Sequence, residues 1–260
     1  MTKQKLPEIL SNKDYNSPSV FLPENLLREA RRQKDIAPCS VPSVCILDPD
    51  GDLVHYLKER GLAKKNTCWA CYHSKLYQFD LDGTTIGILP CVVGASYAVL
   101  VAEQLFVSGC KMLISVTSAG IINEPGNSKR FALIAEAIRD EGTSYHYIPQ
   151  EVSASISESL LYSLDSIKQD LWVNAKSWTT DAPYRETAEA IEAMKIAGVT
   201  CVEMEAAALY ALSIAKQKAI ICFAHLTNTM AQGEGDFEKG EHFGSIDTLQ
   251  LLKVIFANQI

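Results

Sequence analysis

Two carboxylates flank a methionine in the segment Val202-Glu203-Met204-Glu205-Ala206-Ala207-Ala208-Leu209-Tyr210. The run Ala197 to Val202 has strand character, and Ala206 to Ala215 is small and apolar at helical spacing, so Glu203 to Glu205 fall at a strand-to-helix junction. A carboxylate there is costly unless something pairs with it. In open α/β sheets that edge is where ligands bind. One such carboxylate can accept two hydrogen bonds from the vicinal diol of a ribose, while the methionine packs on the flat face of the sugar. The structural alternative has Glu205 capping the first helical turn and Glu203 paired with a distant Arg or Lys.

Two other clusters could do chemistry. Asp48-Pro49-Asp50-Gly51-Asp52 crowds three carboxylates into one loop. Its glycine lies one position early for a calcium loop and no Glu follows at the twelfth place, so calcium is not expected. The structural reading is an acidic turn with Asp52 as N-cap of a helix beginning near Leu53. Cys68-Trp69-Ala70-Cys71 with His73 nearby has the spacing of a redox pair or of half a metal site. No second ligand pair appears at metal spacing, and no metal is expected.

Glu203-Met204-Glu205-Ala206-Ala207-Ala208 resembles the ribose-binding signature of the nucleoside phosphorylase superfamily, which includes purine nucleoside phosphorylases, uridine phosphorylases and nucleosidases. Asp50-Gly51-Asp52-Leu53-Val54-His55 resembles the family's Gly-Asp-Pro-x-Arg phosphate loop, and Gly94-Ala95-Ser96 the Gly-rich turn that follows it. Ser115-Val116-Thr117-Ser118-Ala119-Gly120 lies on the motif Arg-x-Gly-Thr/Ser-x-Gly. Arg139-Asp140-Glu141-Gly142-Thr143-Ser144-Tyr145-His146 resembles the Asp-Gly-Ala-Ser-x-His segment of uridine phosphorylases. The resemblance runs from about Val44 to the C-terminus. It implies cleavage of the N-glycosidic bond of a nucleoside, by default with inorganic phosphate as co-substrate and no other cofactor, giving free base and ribose 1-phosphate. It also implies a homo-oligomer, dimer-based or hexameric, with sites near subunit boundaries.

Site roles carry over residue by residue. Glu205 grips the ribose hydroxyls, Met204 packs on the sugar, and Glu203 is a second polar contact or a structural carboxylate. The anion pocket falls to Gly51, His55, Ser115, Thr117 and Ser118, with a lysine of Lys64-Lys65 as a further cation. This is a departure from the family, because His55 and Ser115 stand where arginines are usual and Thr117 where glycine is, and a neutral imidazole is a weaker phosphate ligand than a guanidinium. A hydrolytic member would instead orient water with a carboxylate, which Asp48, Asp50 or Asp52 could supply, Asp52 being the catalytic candidate. Thr179-Thr180-Asp181-Ala182-Pro183-Tyr184 matches the Ser-x-Asp-x-Phe-Tyr segment, which gives Asp181, Tyr184 and Trp178 as base-side candidates and Arg185 as a substitute for the missing Gln-x-Arg. Asn228 stands where purine enzymes place an aspartate, and an amide cannot donate a proton to a leaving base. The alternatives to phosphorolysis are therefore a nucleosidase using water and an inactive nucleoside-binding protein.

The rest of the chain must position these groups. It has 260 residues, 47% hydrophobic, enough for one large core. A net charge of -7 argues against a nucleic-acid partner. No apolar run reaches a membrane span of ~18 residues and no signal-peptide core follows Met1, so a cytoplasmic chain without a membrane partner is expected. Of the eight cysteines, Cys45, Cys91, Cys201 and Cys222 fall in apolar runs where free thiols are simply small hydrophobes. Residues 1–43, divided by five prolines around a helix from Glu24 to Gln33, read as an arm, and residues 44–260 as the catalytic domain. Strands are predicted at Val44 to Leu47, at Leu76 to Leu81 and Thr85 to Leu89 about an Asp82-Gly83 turn, and at Lys111 to Thr117. Others follow at Arg130 to Ala135, Leu171 to Ser177, Ala197 to Val202 and Ala219 to Leu226. Helices are predicted at Tyr97 to Ser108, Glu186 to Ala197, Ala206 to Ala215 and Ile246 to Phe256. This alternation gives an α/β fold, a single-domain three-layer α/β/α arrangement with a mixed, mainly parallel central sheet.

Overall fold

The computed structural model describes residues 6–125, 129–228, 234 and 238–258. In chain order the elements are α1 (Pro23–Lys34), β1 (Val44–Asp48), α2 (Asp52–Glu59), β2 (Lys64–Lys65), β3 (Tyr77–Leu81), β4 (Thr84–Pro90), α3 (Ala95–Val107), β5 (Met112–Ile121) and β6 (Phe131–Asp140). There follow β7 (Ala154–Ser155), α4 (Glu158–Asp165), β8 (Trp172–Thr180), α5 (Ala188–Ile196), β9 (Cys201–Glu203), α6 (Ala206–Lys216), β10 (Ala219–Asn228) and α7 (Ser245–Ala257). The β3–β4 hairpin turns on Asp82 and Gly83, both at positive φ, which the mirror-image two-residue turn requires.

The strand order is β10-β6-β8-β9-β5-β1-β4-β3-β2, with β7 on the edge of β6. β10 also pairs with β5, from Ala219 opposite Met112 to Asn228 opposite Gly120. Thus β5, β9, β8, β6 and β10 close on themselves, and β1, β4, β3 and β2 extend the mixed sheet from β5. The long ladders β10–β5, β6–β8, β1–β5 and β1–β4 are parallel, while β10–β6, β5–β9 and the β2–β3–β4 edge are antiparallel. Helices flank this sheet. α6 lies along β6, β8 and β10 and packs on α3, which in turn carries α1, while α2 packs with α7 beside β1 and β4.

The core follows from composition. Val44–Asp48 is buried almost throughout, as a strand covered on both faces must be. In α6 the small residues Ala206 to Ala208, and the lack of any charge before Lys216, let the helix enter the interior, where all residues to Ser213 are buried. Tyr210 bridges layers: its hydroxyl donates to the Ile134 carbonyl at 2.5 Å and accepts from the Cys222 amide at 3.1 Å. α4, β2 and β7 have no counterpart among the predicted elements, being short or weakly periodic. The predicted strand from Ala197 shrinks to Cys201–Glu203, because Ala197 caps α5 and Gly198 turns the chain at positive φ. Cys68 is joined in a disulfide to Cys39, not to Cys71. A separation of 29 residues leaves no local spacing signal for that pairing. The described residues contain no helix long and apolar enough to cross a membrane.

Candidate active site

β1, β5 and β9 bring their carboxyl ends to one cleft of about 520 Å³. Its wall includes Pro49, Asp50, Thr117, Ser118, Tyr184, Glu186, Met204 and Glu205, and it sits outside strand ends, as ligand crevices of α/β sheets do. A larger cleft of about 1010 Å³, beside the loop that carries Cys71 and His73, is lined by Lys65 but by none of the other residues expected to bind nucleoside or phosphate.

The two glutamates have separated roles. On β8, Ser177 and Thr179 point to the same side because strand side chains alternate, and both hydroxyls donate to Glu203 Oε1, at 3.0 and 2.5 Å. Glu203 Oε2 accepts the backbone amides of Glu205 and Ala206, each at 2.7 Å, at the N-terminus of α6. Four donors and the positive end of the helix occupy this carboxylate, so it supports the site and is not available as a polar contact for ligand. Glu205 is different. It is 2% exposed; Oε1 accepts the Gly94 amide at 2.7 Å, and Oε2 is buried with no hydrogen-bond partner. Burial, then repulsion from Glu203, pushes its carboxyl up to about 8, opposed mainly by the Gly94 hydrogen bond. Burial raises Glu203 as well, against the pull of its four donors. Gly94 presents its amide from a φ of +92°, which only glycine adopts at little cost. Met204 lies half-buried beside Glu205 in the cleft wall.

The acidic loop sorts its three aspartates. Asp48 is buried, accepts the Val54 and Gly51 amides at 2.9 and 3.2 Å, and is pushed up to about 7 chiefly by burial. Asp52 is the first residue of α2, with Gly51 as the N-cap, and it forms an ion pair with Lys239 at 2.7 Å. Asp52 is absent from the cleft wall, which corrects its assignment as catalytic and as N-cap. The aspartate that reaches the cleft is Asp50, which accepts the Ser118 amide at 3.0 Å and the Ser118 hydroxyl at 3.1 Å, with Lys239 at 3.4 Å. Lys239 stays protonated: burial works against it, and Asp52 and Asp50 outweigh burial.

The expected anion pocket is not assembled among the described residues. The Gly51 amide is turned onto Asp48, donating to its carbonyl at 3.0 Å. His55 lies on the outer face of α2, its side chain 70% exposed and paired with Glu59 one helical turn on. Ser115 is buried between β1 and β10, its hydroxyl without a partner, and it does not line the cleft. Thr117 and Ser118 do line it, though Ser118 is committed to Asp50. Lys64 and Lys65 sit on the exposed β2 edge strand, and neither lines the cleft.

On the base side, Tyr184 is fully exposed at the rim, with Pro183 and Glu186 beside it. Trp178 is instead a core residue, packed with Ile122, Val199 and Val202, its indole N–H donating to Asp140 at 2.9 Å. Asp181 accepts the Gly142 amide at 2.8 Å and Arg185 is exposed, and neither lines the cleft. Asn228 ends β10 opposite Gly120; its side chain lies outside the described residues. Sequence reasoning missed the Lys239 clamp and Glu186, and although it singled out Gly94 and Asp50 it did not foresee that the Gly94 amide meets Glu205 or that Asp50 is the aspartate at the cleft. None has a local signal, the Lys239–Asp52 contact spanning 187 positions.

The sequence matches the phosphorylase superfamily over residues 20–253. The chain belongs to that superfamily. The match includes α1, which packs on α3. Among solved structures, this member of the phosphorylase superfamily is similar to uridine phosphorylase from Vibrio fischeri ES114, with a TM-score of 0.67 at 19% identity, covering 83% of this chain and 91% of that one. The Vibrio fischeri enzyme complexed with 6-hydroxy-1-naphthoic acid gives 0.66 at 20% identity, covering 84% and 90%. Purine nucleoside phosphorylase from Toxoplasma gondii, in complex with immucillin-H, gives 0.67 at 15%, covering 87% and 91%. At these identities the likeness is one of fold. No curated protein matches the sequence.

Proposed function

We propose that this chain cleaves the N-glycosidic bond of a ribonucleoside, with water rather than phosphate as the acceptor. The observation that carries the reading is a cleft whose floor holds a buried, half-paired carboxylate, Glu205, and whose wall has four carboxylates and no Lys, Arg or His among the described residues. A phosphate dianion gains nothing in such a place, since anion sites use guanidinium forks or free backbone amides. A diol that donates two hydrogen bonds fits it.

In this reading Glu205 accepts from the ribose hydroxyls, Met204 packs on the sugar and Tyr184 covers the base. As the bond from C1′ to the base nitrogen breaks, the sugar takes on oxocarbenium character, which nearby carboxylates stabilise. Asp50, held by Ser118 and Lys239, orients the attacking water and takes its proton. The electron pair of the broken bond leaves with the base. The default co-substrate suggested by the resemblance, phosphate, needs cations that the described cleft lacks.

The test is product analysis. Nucleoside incubated in ¹⁸O-water without phosphate is expected to give labelled free ribose at a rate that added phosphate does not raise. Ribose 1-phosphate formed only when phosphate is present would establish phosphorolysis. Nucleoside binding without turnover in either condition would leave a binding protein.

A further inference from the structure

A leaving base usually needs a proton, and the cleft offers poor means of supplying one. Asp50 serves the opposite end of the reaction as proton acceptor, and Glu203 is spent on four donors. Glu205 faces the sugar, and the chain carries Asn at position 228, where the resemblance places an acid. What the cleft does offer is negative charge. Asp50 and Glu186 carry it, Glu205 adds to it once a diol draws off its proton, and Lys239, the cation held beside Asp50, is divided between Asp50 and Asp52. Glu205 Oε2 is buried, unpaired and in the wall of this cavity. At the rim the ring of Tyr184 stands free beside Glu186, whose carboxylate makes no hydrogen bond or ion pair among the described residues.

We infer that the preferred substrates are ribosides whose base is already a cation, that is, N-quaternised heterocycles such as pyridinium or N-alkylated purine ribosides. The inference rests on the glycosidic reading above. In such a substrate the bond between C1′ and the quaternary nitrogen breaks, its electron pair neutralises the ring, and the base departs neutral with no proton needed. Water adds to C1′ and gives its proton to Asp50, so charge and atoms balance without a general acid. Tyr184 supplies a π-face to the cation and Glu186 a counter-charge. The same carboxylates raise the local concentration of a cation and lower that of an anion.

The experiment compares a pyridinium riboside with uridine and inosine on the intact protein, against enzyme-free blanks. The pyridinium riboside is expected to show a kcat/KM at least about tenfold higher, and that advantage is expected to shrink as ionic strength rises from about 0.05 to 0.5 M, as screening requires. Glu186→Gln is expected to lower the cation-to-neutral ratio about threefold, the effect of one charge at ~6 Å in a water-like medium. Neutral nucleosides cleaved as fast as the cation, or an advantage indifferent to salt, would overturn the inference while leaving glycosidic cleavage standing. A collapse of neutral-nucleoside cleavage in Glu186→Gln with cation cleavage retained would make Glu186 a proton donor and also overturn the charge-attraction account. No cleavage of any riboside would overturn both readings.

Discussion

The half-paired state of Glu205 has a measurable consequence. A carboxyl held at about 8 instead of its ordinary 4.5 is mostly neutral at pH 7. A diol that donates two hydrogen bonds favours the ionised form, so ribonucleoside binding should release a proton. If bound Glu205 is fully ionised, the apparent Kd carries the cost of ionising it in the free protein: about a hundredfold, or about 2.7 kcal/mol, at pH 6, about tenfold at pH 7, and almost nothing at pH 9. Affinity should therefore tighten roughly tenfold from pH 6 to 7, about fivefold from 7 to 8, and level off beyond. The ligand should be a C-nucleoside, whose glycosidic bond cannot be cleaved, chosen not to ionise in this range, and the assay is titration calorimetry in two buffers of different protonation enthalpy. Glu203 and Asp48 lie near and are also raised by burial, so the control is Glu205→Gln, which keeps the Gly94 hydrogen bond and cannot titrate. It should bind with a flat pH profile and lose about 1.5–3 kcal/mol in kcat/KM. Linkage gives a second readout with a fixed sign. A folded-state carboxyl raised above its unfolded value contributes stability that is full below about 4.5 and is lost as pH rises through about 8, so the wild type should lose Tm across that window more steeply than the variant. Equal wild-type affinity at pH 6 and pH 9, or the same pH slope in Glu205→Gln, would refute the argument.

Asp50→Asn keeps an acceptor for Ser118 but cannot take a proton from water, so single-turnover cleavage should fall by about 10²–10⁴ with C-nucleoside affinity kept within a few fold; an unchanged rate would place the base elsewhere. Ser115→Arg, the substitution that would restore the family's usual residue, puts a guanidinium between β1 and β10 where Ser115 is fully enclosed. It should lower stability by several kcal/mol without creating phosphate binding, and a thermal melt matching wild type would contradict the burial described. Tyr210→Phe leaves the Ile134 carbonyl and the Cys222 amide without their buried partner and should cost about 1–3 kcal/mol in urea denaturation, with kcat/KM of the surviving folded protein little altered. His55→Ala should leave kcat/KM within about twofold from pH 6 to 8, since the side chain is exposed on α2 and absent from the cleft; a rising phosphate requirement in that variant would return His55 to the site.

Much of this protein can be read from local pattern. The Asp82-Gly83 turn, the apolar run from Val44 and the small-residue helix after Glu205 each announce themselves within a few positions, because a strand or helix is specified by the period of its own side chains. The Glu203-Met204-Glu205 junction is legible in the same way, down to its place at a strand end. What no local pattern carries is which carboxylate remains free. Glu203 is occupied by hydroxyls 24 and 26 residues away, and Glu205 is fixed by an amide 111 residues away. Asp50, not Asp52, reaches the cleft because Lys239 draws Asp52 aside across 187 positions and Ser118 holds Asp50 from β5. Trp178, chosen as a stacking aromatic, enters a core with Val202 and Val199, partners that exist only once β8 and β9 pair. The closure of β10 onto both β5 and β6, and the bridge from Cys39 to Cys68, are likewise contacts between distant segments. Propensity and periodicity act over one turn or one strand, whereas hydrogen-bond partners and buried charge are settled by which elements come to lie side by side. The chemistry of the cleft was therefore decided by the tertiary fold, and the elements that carry it by the sequence.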